Sequence, residues 1–120
     1  MISLVLVSIA GIFKAVMDAL QFHYFTSIFF SKNSSFWNPQ DSWKNKWKED
    51  LKTEKFLFSS TILVFLTDAW HLFQSGLIFC LMLAIVLYKP IVNKYVDFII
   101  LHIVFTGTFE LFFSRIFKKR

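Results

Sequence analysis

The chain has 120 residues, is 56% hydrophobic and 20% aromatic, and carries 17 Phe, a net charge of +5 and a mean hydropathy of +0.56. So apolar a chain cannot stay solvated as a disordered segment, its single Cys80 cannot build a disulfide scaffold, and its length leaves no room for two ordinary domains. The apolar residues fall in long runs instead of a periodic stripe, which predicts an all-α membrane protein with three transmembrane helices in one membrane domain.

The first span is predicted over about residues 2–28, interrupted by Lys14, Asp18, Gln21 and His23. Ser8-Ile9-Ala10 before Gly11 has the small-x-small form of a signal-peptidase site. The missing basic n-region and the short apolar run before it argue against cleavage.

A charged connector follows over about residues 31–55, with six Lys (32, 44, 46, 48, 52 and 55) and four acids (Asp41, Glu49, Asp50 and Glu54). Asn38-Pro39 with Asp41 reads as a helix start, with Asn as N-cap, Pro at the first position and an acid in the first turn. Trp43, Trp47 and Leu51 then repeat every four residues, with Lys44, Lys48 and Lys52 one position further round. The pattern predicts an amphipathic interfacial helix, its Trp rings at headgroup level and its Lys stems reaching for anionic lipid, with Trp37 as a further anchor. Four acids dilute the basic patch and no nucleic-acid motif is present, so nucleic acid is not an expected partner.

The second span is predicted over about residues 58–88, with Ser59-Ser60-Thr61 at its start and Lys89-Pro90 as its stop. The full apolar run of 33 residues from 56 to 88 is overlong. A straight helix of that length would reach roughly 50 Å at about 1.5 Å per residue, so about a dozen residues must leave a hydrocarbon core of about 30 Å. The third span is predicted over about residues 93–117, ahead of a basic tail of Lys118, Lys119 and Arg120. The connector and the tail region hold ten basic residues, against Lys89 and Lys94 in the opposite loop. That asymmetry predicts the N-terminus outside and the C-terminus in the cytoplasm, in the inner membrane if the source is bacterial.

Each span carries a polar stripe: Lys14, Asp18 and Gln21 in the first, Asp68, His71 and Ser75 with Gln74 in the second, and His102, Thr106 and Glu110 in the third. Three stripes turned inward predict a bundle with a polar interior near the cytoplasmic leaflet. The plainest role for these residues is interhelical hydrogen bonding in a small membrane scaffold or accessory subunit. Lys14 and Asp18, at i and i+4, are placed to neutralise each other. A second reading makes Asp68, His71 and Glu110 catalytic, with Asp18, Asp68, His71, His102 and Glu110 as oxygen and nitrogen ligands for Zn or Fe in a lipid-directed enzyme. A third is a pore-forming or proton-conducting oligomer. No HExxH or HxxxH spacing supports the metal reading. One 14.2 kDa chain buries little polar surface in three helices, so beyond the bilayer itself the expected partner is a second copy or a larger membrane protein. Cys80 reads as a small buried hydrophobe, and Gly76 and Gly107 as points of close helix approach.

Three strings resemble ones in a family of short bacterial polytopic membrane proteins: Ala15-Val16-Met17-Asp18-Ala19-Leu20-Gln21-Phe22-His23, Trp37-Asn38-Pro39 with Ser42-Trp43-Lys44-Asn45-Lys46-Trp47, and Thr67-Asp68-Ala69-Trp70-His71-Leu72-Phe73-Gln74. The resemblance implies a multi-pass membrane protein and attaches no activity. The three-span layout with a basic tail is also similar to class I phage holins, although the Phe-rich spans with acid and His stripes depart from that pattern.

Overall fold

A computed structural model describes residues 1–117; the basic tail of Lys118, Lys119 and Arg120, counted in the orientation argument, lies outside the described residues. The described residues are all-helical, with no strand beyond one isolated bridge between Trp47 and Glu54. Three helices are long and apolar enough to cross a membrane: α1 (Ile2–His23), α4 (Ala69–Val86) and α5 (Lys94–Leu111). Two short helices, α2 (Ser34–Trp37) and α3 (Pro39–Ser42), lie in the connector.

The architecture departs from the inward-facing bundle. α1 packs against both α4 and α5, which scarcely touch each other, and the molecule forms a layer of 54 × 37 × 16 Å. The reason lies in the small residues of α1. Ser3, Val7, Gly11, Ala15 and Ala19 recur every four residues and all are buried. At Gly11 an added Cβ would stand 2.8 Å from the carbonyl oxygen of Phe105 and 3.1 Å from Thr108 Cβ, so this position brings α5 onto the α1 backbone. On the other side, α4 presents Gly76, Cys80 and Ala84, again four apart. Gly76 receives the ring of Phe13, Cys80 and Ala84 are buried, and the Ala84 carbonyl accepts a 3.0 Å hydrogen bond from Ser3 Oγ. Small residues let helices approach closely, and here they take the packing faces and turn the polar stripes aside. Gly107 has nothing within 4 Å and is not a packing point.

α4 starts at Ala69, not near Ser59. The hydroxyls expected to open it serve the connector: Ser59 Oγ donates to the Lys46 carbonyl at 2.6 Å and Ser60 Oγ bonds to Glu54. Phe58 takes a left-handed backbone conformation (φ 63°), which interrupts a right-handed helix. Asp68 supplies the cap instead, its side chain accepting from the His71 backbone N–H at 2.7 Å. The excess length of the second apolar segment is thereby resolved, because residues 56–67 run as turns before a straight 18-residue helix.

The predicted amphipathic helix of the connector is not formed as one element. Asn38 caps α3 through Gln40 N, with Pro39 at its first position and Asp41 in its first turn, as expected. Helical structure continues as a tighter turn over Trp43–Lys46 and stops at Trp47, which is extended. The chain then doubles back, with Lys48 N bonding to the Thr53 carbonyl and Lys55 N to the Lys46 carbonyl. Trp43, Trp47 and Leu51 therefore share no helix face, nor do Lys44, Lys48 and Lys52. The competing interaction is local. Asp50 accepts hydrogen bonds from Lys52 N, Thr53 N and Thr53 Oγ, and such a turn outcompetes helix propagation. Asn45 ties this connector to α4 by donating to the Thr67 carbonyl at 2.9 Å.

At the opposite end, Asn93 caps α5 and Asp97 clasps the turn before it, accepting from Ile91 N, Val92 N and the Tyr88 hydroxyl. The bond to the Asp97 carboxylate pushes the Tyr88 phenol above its ordinary pKa.

Two predictions follow from this packing. Gly11→Ala forces the Phe105 backbone away and is expected to destabilise the detergent-solubilised protein by about 1–3 kcal/mol. Gly107→Ala meets nothing and should gain up to about 1 kcal/mol from helix propensity. Opposite signs in a denaturant titration are the expected result, and a stabilising Gly11→Ala would sink the close approach. In the connector, hydrogen bonds from Thr53 and Lys52 hold the Asp50 carboxyl at about 2, against an ordinary 3.8. A carboxyl lowered in this way supports the turn above pH 3.8 and loses its contribution as pH falls towards 2. Exchange of the Thr53 amide should accelerate over that window, and Asp50→Asn should flatten the response.

A candidate polar site at the connector end

Asp68 and His71 form the best-defined polar pair. Capping places Asp68 one turn before His71, so the i, i+3 spacing brings carboxylate and imidazole together. His71 Nδ1 lies 2.8 Å from Oδ2 and 3.0 Å from Oδ1. Asp68 is 3% exposed, while the His71 side chain keeps 27% of its surface open. With the carboxylate ionised, Nδ1–H donates to it and Nε2 is left as an acceptor on the open side.

Two recesses meet at His71. One, of about 240 Å³, is lined by Gln21 at the end of α1, Pro39 and Trp43 of the connector, and Trp70 and His71 of α4. The other, of about 190 Å³, is bounded by Ile62, Val64, Phe65 and Ile78, with Gln74 and Ser75 beside His71. Trp70 adds an unusual feature. Its indole Nε1 is buried and finds no acceptor among the described residues, which costs about 1–3 kcal/mol in an unmet hydrogen bond.

The other candidates are dispersed. Lys14 Nζ meets Asp18 Oδ1 at 2.7 Å, as their spacing predicts, and that pair stays on α1. Gln21 is exposed and reaches the first recess, whereas the His23 ring packs on Phe113 at 5.4 Å. His102, Thr106 and Glu110 are all exposed on α5, and Glu110 accepts from Ser114 Oγ at 2.5 Å. Glu110 and His102 therefore do not join Asp68 and His71. Among the described residues no three His, Cys, Asp or Glu side chains converge to hold an ion, so Asp18, Asp68, His71, His102 and Glu110 do not fit a Zn or Fe site. The Trp anchors also separate: Trp37 stacks on Phe29 at 5.0 Å, Trp43 lies over the first recess, and Trp47 belongs to the doubled-back turn. Lys44, Lys48 and Lys52 remain exposed.

Sequence reasoning missed three participants. Asp68 as a cap was detectable, since an Asp directly before an apolar run is a helix-start signal. The unsatisfied Trp70 indole and the Asn45 bridge depend on tertiary placement and have no local signal. No family model, curated protein or solved structure matches this chain, so the site stands on its geometry.

Replacing Asp68 separates its two bonds. Asp68→Asn keeps a capping oxygen and should cost a few tenths of a kcal/mol, whereas Asp68→Ala should cost about 1–2 kcal/mol through loss of the cap. The His71 ring nitrogens, followed by NMR, should change tautomer balance in both variants. An unchanged imidazole would mean that the pair is not formed.

Proposed function

We propose that the protein is a small integral membrane scaffold or accessory subunit that crosses the bilayer three times and associates with a second copy through α5. The orientation follows the basic residues, with the connector in the cytoplasm and the N-terminus outside. The observation that carries this reading is the position of the α5 polar stripe. His102, Thr106 and Glu110 lie on the exposed face, away from α1, with Tyr95, Phe98 and Ile99 also exposed there. Facing lipid, ionisable groups of this kind cost about 2.5–3.5 kcal/mol each near mid-membrane on insertion scales. A partner helix removes that cost.

The stripe suits its own copy. In a parallel two-fold pair each residue meets its counterpart, and imidazole, hydroxyl and protonated carboxyl groups each both donate and accept. A stripe bearing Lys or Arg would repel itself in this arrangement, and this one has neither between His102 and Glu110. The exposed outer faces of α4 and α5 otherwise carry the Ile, Leu and Phe expected against acyl chains.

The test is oxidative cross-linking in bilayers on a Cys80→Ser background. Thr106→Cys should give a covalent dimer in high yield, and Ile85→Cys, on the exposed face of α4, should not. His102→Leu with Glu110→Gln should weaken association roughly tenfold, from two interhelical hydrogen bonds of about 0.6–2 kcal/mol. Equal cross-linking at 106 and 85 would reduce the contact to random collision and overturn the reading.

A further inference from the structure

Independently of how α5 is covered, the two recesses at His71 form one feature that neither packing nor self-association explains. We propose that they bind a monoacylated glycerol unit: a fatty acyl ester with a free hydroxyl on the neighbouring carbon. The polar recess lies at the first turn of α4 and the end of α1. In a membrane-spanning chain this is the level at which glycerol esters sit and Trp side chains collect. Its groups are complementary to that ligand. Trp70 Nε1–H is a buried donor without an acceptor, suited to an ester carbonyl. His71 Nε2, left as an acceptor by the Asp68 bond at Nδ1, suits the neighbouring hydroxyl. The Gln21 amide can serve either, and Pro39 and Trp43 close the apolar side.

The second recess supplies what a headgroup pocket alone would lack. Beyond His71 its walls are Ile62, Val64, Phe65 and Ile78, and Ile78 lies two helical turns further along α4 than His71. An acyl chain leaving the ester would follow α4 towards the middle of the bilayer. Polar groups at the interface and apolar walls running inward are the order in which a lipid presents its own chemistry.

The experiment is native mass spectrometry of the full chain, purified in mild detergent and titrated with 1-monooleoylglycerol. The comparison ligand is the oleyl ether of glycerol, which keeps both hydroxyls and the chain but lacks the ester carbonyl. One ester lipid per chain is expected, with the ether and the Trp70→Phe variant each binding about five- to tenfold more weakly. His71→Leu should weaken both ligands alike. Equal retention of ester and ether by the unmodified chain would identify annular lipid and overturn the proposal, and that comparison decides even if a variant fails to fold. A lysophosphatidylethanolamine arm distinguishes the source. Tighter binding than the monoacylglycerol assigns the unit to a phospholipid, weaker binding assigns it to a neutral lipid, and the ester site stands in both cases.

Discussion

The contact on which the rest of this structure depends is the close approach of α5 to α1 at Gly11. With no side chain there, the Phe105 carbonyl comes within 2.8 Å of where a Cβ would stand. Between apolar helices in a lipid environment burial supplies no driving force, because hydrocarbon solvates Leu and Phe as well as a neighbouring helix does. What remains is dispersion at short range and a few hydrogen bonds, and both require small residues. α1 provides them on both flanks and so becomes the centre of the layer, while the large side chains of α4 and α5 are left to the periphery.

This division of labour explains where the polar stripes went. In a soluble bundle the least polar face turns inward. Here nearly every face is apolar, so size decides which face packs. Gly76, Cys80 and Ala84 win the α1-facing side of α4, and His71 is displaced to the edge, where two recesses open. On α5 the same rule sends His102, Thr106 and Glu110 fully outward. The candidate ligand set fails to converge for a geometric reason: residues on three helices meet only if the helices surround a common axis, and a layer has none.

How much of this was legible depended on the range of the interaction. Local signals read well: the Asn38-Pro39 start of α3, the Lys14–Asp18 pair, the stop before Pro90 and the three long apolar helices all reflect near neighbours in the chain. The second segment also showed that something had to leave the span, though not where. Two errors came from giving weight to periodicity over local chemistry. The Trp43, Trp47 and Leu51 repeat suggested a helix, but Asp50 could satisfy three donors by turning the chain. Ser59, Ser60 and Thr61 suggested a cap, but the first two hydroxyls found partners in the connector, at the Lys46 carbonyl and Glu54. The third error was one of hydropathy. The four-residue repeats of small side chains in α1 and α4 were in plain view, yet Gly76 was weighed only for a paired Gly when Cys and Ala can serve the same packing.

Asp97 and Asp68 show how far the meaning of an acid depends on where its helix begins. Both lie in apolar runs, and both would read as charges awaiting an intramembrane function. Each instead sits at a helix start and accepts backbone N–H groups that have no helical partner, which is what a carboxylate at an N-terminus is for. Asp97 is fully occupied by such bonds, because Ile91 N, Val92 N and the Tyr88 hydroxyl take both of its oxygens. Asp68 caps through one oxygen and still reaches the His71 ring with both. The asymmetry between them separates the two ends of the molecule. One end closes a turn with its acid. The other uses its acid to fix an imidazole beside an unsatisfied indole, and so keeps directional hydrogen-bonding capacity at a place where lipid chemistry changes from apolar to polar.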